Sequence, residues 1–309
     1  MIARIFLACL LIATPVVAKE KLQVVASFSI LADMAREIGG EDAEVFSLVA
    51  ANMDAHSFEP APADSAKFSK AQLIIMNGLG FEGWMDRLVR ASSARGELVV
   101  ASDGIQPIAA MAHEEDGQDQ HGHDDHGHDH HEGGLDPHAW QDASNGVIYA
   151  RNIANGFCKV DAENCAAYQV RARDYAQRIQ ALDEKIKARF AAIPQANRRI
   201  ILSHDAFGYF CKANQITCLA AQGITDDSEP SAKDIAALIT EARQEKVRAL
   251  FLENVSDPRL LEQIGRETGL VTSGILYSDA LSREDGPVPN YLSLLEHNAN
   301  MIAQALEAP

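Results

Sequence analysis

Eight short apolar runs, four on each side of one long amphipathic helical pattern, limit what this chain can become. In the first half they are Leu22 to Phe28, Glu44 to Ala50, Gln72 to Asn77 and Glu97 to Ser102. In the second they are Arg199 to Ser203, Thr217 to Ala221, Ala249 to Glu253 and Val271 to Tyr277. Helical patterns separate them, such as Ile30-Leu31-Met34-Ile38 and Trp84-Met85-Leu88-Val89, and further helices are expected after Ser231, Ser256 and Asn290. Near-continuous apolar strands alternating with helices predict parallel sheets covered on both faces. Ser231 with Asp234 has the form of a capping box. Between the two sets, Tyr168, Tyr175, Ile179, Leu182, Ile186 and Phe190 form one apolar stripe. The spacing predicts a helix from about Glu163 to Phe190, roughly 40 Å long, a stiff strut joining two α/β lobes. Pro194 follows its end. The chain of 309 residues thus divides into residues 19–160, a linking helix at 161–193 and residues 194–309.

Residues 1–18 read as a secretory signal: Arg4, an apolar core from Ile5 to Ile12, and the small-residue cleavage site Val16-Val17-Ala18. Phe6-Leu7-Ala8-Cys9 only faintly resembles a lipoprotein box. The expectation is a soluble, exported protein. Forty-four acidic residues against 27 basic ones give a net charge of −17. That balance argues against nucleic acid and anionic membranes as partners and suits a protein that attracts cations. Beyond the signal lie Cys158, Cys165, Cys211 and Cys218. An even count in an exported chain suggests disulfides. Of three connectivities, the local pairs Cys158–Cys165 and Cys211–Cys218 are favoured. The first needs a helix break near Lys159 to Ala162, since seven residues of unbroken helix would part the Cα atoms by roughly 10 Å. The second needs a helix-to-strand junction. A four-cysteine zinc site is the alternative, but neither pair has CxxC spacing.

A tract of histidine and acid, residues 113–132, interrupts the first half. It holds His113, His121, His123, His126, His128, His130 and His131. Such a composition builds no packed core, so a loop is expected, and imidazoles in this density suit metal binding. Of the other histidines, His56 follows the second run, His138 the fourth and His204 the fifth. Ligands of open parallel sheets bind beyond the carboxyl ends of strands, so these three lie where a ligand site belongs. Asp279, beyond the last run, shares that placement. Three imidazoles and one carboxylate suit Zn²⁺ rather than Mg²⁺ or Ca²⁺. His297, inside the last helix, is read as an ordinary residue.

Five segments carry a resemblance to a known family. They are Asp54-Ala55-His56-Ser57-Phe58-Glu59-Pro60, Asn77-Gly78-Leu79-Gly80-Phe81-Glu82, Asp136-Pro137-His138-Ala139-Trp140, His204-Asp205-Ala206-Phe207-Gly208-Tyr209-Phe210 and Glu229-Pro230-Ser231. The chain resembles the zinc-binding (cluster A-I) periplasmic substrate-binding proteins of metal ABC transporters. The resemblance implies two Rossmann-like lobes with parallel sheets, joined by one long rigid helix, with the metal in the cleft between them. It implies His56, His138, His204 and Asp279 as ligands; some zinc-type members use a loop residue or water in the fourth position, and Glu59 is the nearest rival carboxylate to Asp279. Manganese-binding relatives carry a carboxylate where this chain has His204, and zinc-binding ones often carry a His-rich acidic loop. In the first segment the family usually has Asp-Pro-His, where this chain has Ala55. The implied function is a periplasmic receptor that delivers Zn²⁺ to a membrane ABC permease; the chain is expected to be a monomer, and a zinc-donating periplasmic protein is a candidate further partner. A zinc buffer or metallochaperone would need only the loop. A zinc hydrolase would need an open coordination position and a base, and no His-Glu-x-x-His occurs.

Overall fold

The computed structural model describes residues 20–111, 134–224 and 230–308. The expected signal at 1–18, all seven tract histidines and Glu229 lie outside the described residues. The first sheet is formed by β1 (Leu22–Ala26), β2 (Ala43–Ser47), β3 (Leu73–Met76) and β4 (Glu97–Val100). The second is formed by β5 (Arg199–Leu202), β6 (Thr217–Ala220), β7 (Ala249–Glu253) and β8 (Thr272–Leu276). Every pairing is parallel, in the orders β2-β1-β3-β4 and β6-β5-β7-β8. All eight apolar runs are therefore strands, each shorter than or equal to its run.

The helices are α1 (Ser29–Gly39), α2 (Pro62–Phe68), α3 (Met85–Ser92), α4 (Ala143–Val160), α5 (Cys165–Ala192), α6 (Gly208–Asn214), α7 (Ala232–Gln244), α8 (Arg259–Thr268) and α9 (Tyr291–Glu307). The capping box at Ser231 and Asp234 starts α7. One helix start differs from expectation. The α8 helix begins at Arg259 rather than after Ser256, because Pro258 is its N-cap residue and Asp257 accepts the Arg259 amide. Both local disulfides form, with Cα–Cα separations of 4.5 and 6.3 Å. A short 3₁₀ turn, Ala162–Asn164, breaks the helix between Cys158 and Cys165. Cys211 in α6 and Cys218 in β6 span the expected helix-to-strand junction.

The α5 helix has 28 residues. Tyr168, Tyr175, Ile179, Ile186 and Phe190 of its stripe are buried, and Leu182 is partly buried. It packs on α1 and α4 beside the first sheet and on α6 and α9 beside the second. It is therefore a strut bonded along its length to both lobes rather than a free rod. One continuous apolar core includes residues from both sheets. Hydrogen bonds also tie the halves directly: Asn52 N to Leu281 O (2.9 Å), Leu281 N to Ser29 Oγ (3.0 Å) and Tyr291 N to Asp33 Oδ2 (2.9 Å). Opening such an interface widely would break several buried bonds and expose apolar surface together. Small-angle scattering curves with and without bound metal are expected to superimpose, with changes confined to loops. A change in overall dimensions on metal binding would contradict a stiff connection.

Candidate metal centre

The carboxyl ends of both sheets face one buried cleft. Its polar residues come from the four strand-end loops. His56 lies in the loop after β2, where Asp54 accepts the His56 amide (2.8 Å) and the Ser57 hydroxyl (2.6 Å). Trp84 Nε1 donates to Ala55 O, and the His56 ring stands edge-on to Phe81 at 4.6 Å. His138 sits at the turn before α4, fully buried among Phe81 and Trp140. His204 follows β5, and Asp279 follows β8; both are buried.

The four side chains converge. His56 Nε2 lies 3.2 Å from His138 Nε2 and 3.6 Å from Asp279 Oδ2. His138 Nε2 is 3.5 Å from Asp279 Oδ1, and His204 Nε2 is 3.2 Å from Asp279 Oδ2. All four ligand atoms lie within 4.8 Å of one another, and no other cluster of this kind occurs among the described residues. A tetrahedron with metal–ligand bonds of about 2.0–2.1 Å has edges of about 3.3 Å. The three separations that share Asp279 Oδ2 or join His56 to His138, 3.2 to 3.6 Å, lie near that value, so the cluster has dimensions that a small coordination shell could use.

Two further carboxylates hold the imidazoles from behind. Asp136 Oδ1 takes both the His138 amide and the His138 Nδ1 side, each at 2.8 Å. Glu253 Oε2 lies 2.7 Å from His204 Nδ1. In both rings Nε2 is turned to the cleft, the arrangement in which metal-bound histidines are usually held. Gly208 leaves room for this. A Cβ there would strike Asp136 Oδ2. The Asp136-Pro137-His138 turn is itself fixed by Asn77, whose Nδ2 donates to Pro137 O (2.9 Å). The buried carboxylate of Glu82 holds Asn77 N (2.6 Å) and Ser27 Oγ (2.7 Å). Burial raises the pKa of Glu82 against these bonds.

The electrostatics divide the four side chains. Burial pushes the His56 pKa down to about 4, against the pull of Asp279. Burial also acts downward on His204, but the carboxylates of Glu253 and Asp279 overcome it and hold His204 well above its ordinary value. Burial disfavours the Asp279 anion, yet the imidazoles of His138 and His204 keep its pKa below the usual carboxylate range. Metal binding requires neutral imidazoles. Above about pH 4 His56 has no proton to give up, whereas His204 still carries one at neutral pH. Binding is expected to displace a proton from His204, so affinity should fall as pH drops. Calorimetry in buffers of different ionisation enthalpy measures this, and release of no proton would contradict the raised His204.

His297 lies elsewhere, in α9, with Nε2 3.0 Å from Ile275 O. Glu59 is exposed and lines a surface depression with Ser65 and Arg87, outside the cluster. Sequence reasoning found the four converging residues but missed Glu253 as a partner of His204. The available signal was a carboxylate at the last position of an otherwise apolar strand.

The chain matches the family described as ZnuA, zinc-uptake complex component A, periplasmic, over residues 24–305. It belongs to that family. It is similar to the manganese ABC transporter substrate-binding lipoprotein PsaA of Streptococcus anginosus, 30% identical over 293 residues covering 93% of this chain and 90% of that protein. It is also similar to the iron ABC transporter substrate-binding lipoprotein MtsA of Streptococcus pyogenes, 29% identical over 308 residues covering 98% and 94%. Among solved structures, the periplasmic zinc-binding protein TroA from Treponema pallidum superposes with a TM-score of 0.81 at 25% identity, covering 94% of this chain and 100% of that one. As a family member the chain is an exported metal-binding receptor of an ABC importer, periplasmic or at the cell surface, and not an enzyme. It works with a membrane permease and its ATPase, and a divalent metal in the cleft is its cargo. These relatives carry the names of three different metals, so kinship alone does not choose among them.

Proposed function

We propose that the cargo is Zn²⁺, bound by His56, His138, His204 and Asp279 and delivered to the permease by a monomeric periplasmic receptor. The observation that carries this reading is the donor set. Three imidazole nitrogens and one carboxylate sit at separations of 3.2 to 3.6 Å where measured. Manganese favours oxygen-rich, six-coordinate sites, and a buried cluster with a single carboxylate offers too few oxygens. In this reading the signal is cleaved after Ala18 and the mature protein is soluble. The mass of the mature protein tests that point. An acylated N-terminus at Cys9 would instead make the chain a lipoprotein, as PsaA and MtsA are by name.

The deciding experiment is a competition of Zn²⁺ and Mn²⁺ against a calibrated chelator. Tight one-to-one zinc binding, with manganese bound far more weakly, is expected. Equal affinity or manganese preference would refute the zinc assignment. The same titration on a variant lacking residues 114–133 separates a receptor from a buffer. A receptor keeps its one tight site and loses only weak additional ones, because ordering a chain segment around a metal costs on the order of 1 kcal/mol per residue. A buffer loses most of its capacity. Slower loading of that variant from a zinc-donating protein would locate the tract's role in transfer.

A further inference from the structure

We propose that Glu253 is a positioning residue of the metal site, holding His204 in the orientation and tautomer that offer Nε2 to the cleft. The inference rests on reading His204 as a ligand. Glu253 is the last residue of β7, which pairs with β5 through Ile200–Ala249 and Ile201–Leu250. That adjacency brings its carboxylate beneath the turn that carries His204. Oε1 accepts the amides of Ser203 (2.9 Å) and His204 (3.1 Å). This pins the carboxylate and leaves Oε2 aimed at His204 Nδ1, 2.7 Å away, with no exposure to solvent. Glu253 Oε2 and His204 Nδ1 have no other hydrogen-bond partner among the described residues, and Nε2 faces Asp279 Oδ2 at 3.2 Å.

A carboxylate only accepts, and a neutral imidazole carries one N–H. An oxygen facing Nδ1 therefore keeps an N–H there, so Nε2, which faces Asp279 Oδ2 at 3.2 Å, is the nitrogen that would give up its proton and offer its lone pair when a metal binds. Asp136 serves His138 from two residues away in the same turn. Glu253 does so from a neighbouring strand, so the register of β5 on β7 sets the geometry of His204. Glu253→Gln exchanges one carboxylate oxygen for an NH₂ group. Its carbonyl can still accept both amides, but its NH₂ then faces Nδ1 and donates. The favoured neutral tautomer becomes Nε2–H, which has no lone pair for a metal.

The test is a double-mutant cycle on zinc affinity, read beside ¹⁵N spectra of the imidazoles. E253Q is expected to weaken binding by about 10–100-fold, the usual effect of losing an orienting partner. It should have no effect in the H204A background, because Glu253 acts through His204. In the zinc-loaded protein the spectra should show His204 as Nδ1–H with Nε2 bound, a pattern lost in E253Q and kept in E253D, which retains an acceptor and stands in if E253Q does not fold. Unchanged affinity in E253Q, equal losses in both backgrounds, or an unchanged tautomer would each overturn the inference. If H204A bound zinc like the wild type, the ligand assignment would fail instead, and the tautomer would still decide the role of Glu253.

Discussion

Replacing Asp279 by Ala is expected to weaken zinc binding by at least a hundredfold. Asp279 is the one charged ligand of the proposed set, 1% exposed and within 3.2 to 3.6 Å of three imidazoles. Without it a divalent cation would sit among neutral nitrogens, removed from water. Breaking one side of a buried charge pair costs about 3–5 kcal/mol, and each 1.4 kcal/mol is about tenfold in affinity. The change leaves an apolar residue in the cleft, so the fold should persist, and a thermal melt checks this. Replacing Glu59 or His297 should leave affinity unchanged, since both lie outside the cluster. Competition titration of the three variants measures it. If Asp279→Ala bound zinc as tightly as the wild type, the fourth ligand would be another group, with a tract histidine the first candidate.

The second large effect is on selectivity. Exchanging His204 for Glu replaces a nitrogen by hard oxygens and should move the zinc-to-manganese ratio toward manganese by roughly tenfold or more, a change of at least about 1.4 kcal/mol. The surroundings matter here. Glu253 Oε2 lies 2.7 Å from the ring it now faces, and two carboxylates at that separation repel. The clean variant is therefore H204E with E253Q, which supplies a donor to the new carboxylate. Parallel Zn²⁺ and Mn²⁺ titrations test it, and an unaltered ratio would remove His204 from the ligand set.

The strands were legible because buried parallel strands are near-continuous apolar runs, and the four converging side chains because each lies in the connection beyond the carboxyl end of such a run. The α4 helix was not. Its sequence carries Gly146 and Gly156, poor helix formers, and their reason is tertiary. A Cβ at Gly146 would strike the Tyr291 side chain, and one at Gly156 the Val99 side chain. Asp142, accepting the Ser144 amide (2.8 Å), supplies the cap that starts the helix. Glu253 was hidden for a related reason. Its role exists only once the crossover puts β7 beside β5, and no local pattern records that adjacency. Sequence placed the strut well, from the stripe of Tyr168 to Phe190, but not its packing on both lobes, which depends on which helices the sheets bring to it.

The central claim is the identity of the four ligands. Zinc K-edge X-ray absorption on the loaded protein lacking residues 114–133 tests it most directly. The expected shell is four-coordinate zinc, with three imidazoles at about 2.0–2.1 Å showing their outer-shell scattering and one carboxylate oxygen. One imidazole should be lost in H204A and the oxygen in D279A. A six-coordinate, oxygen-rich shell, or a wild-type shell retained in both variants, would contradict it.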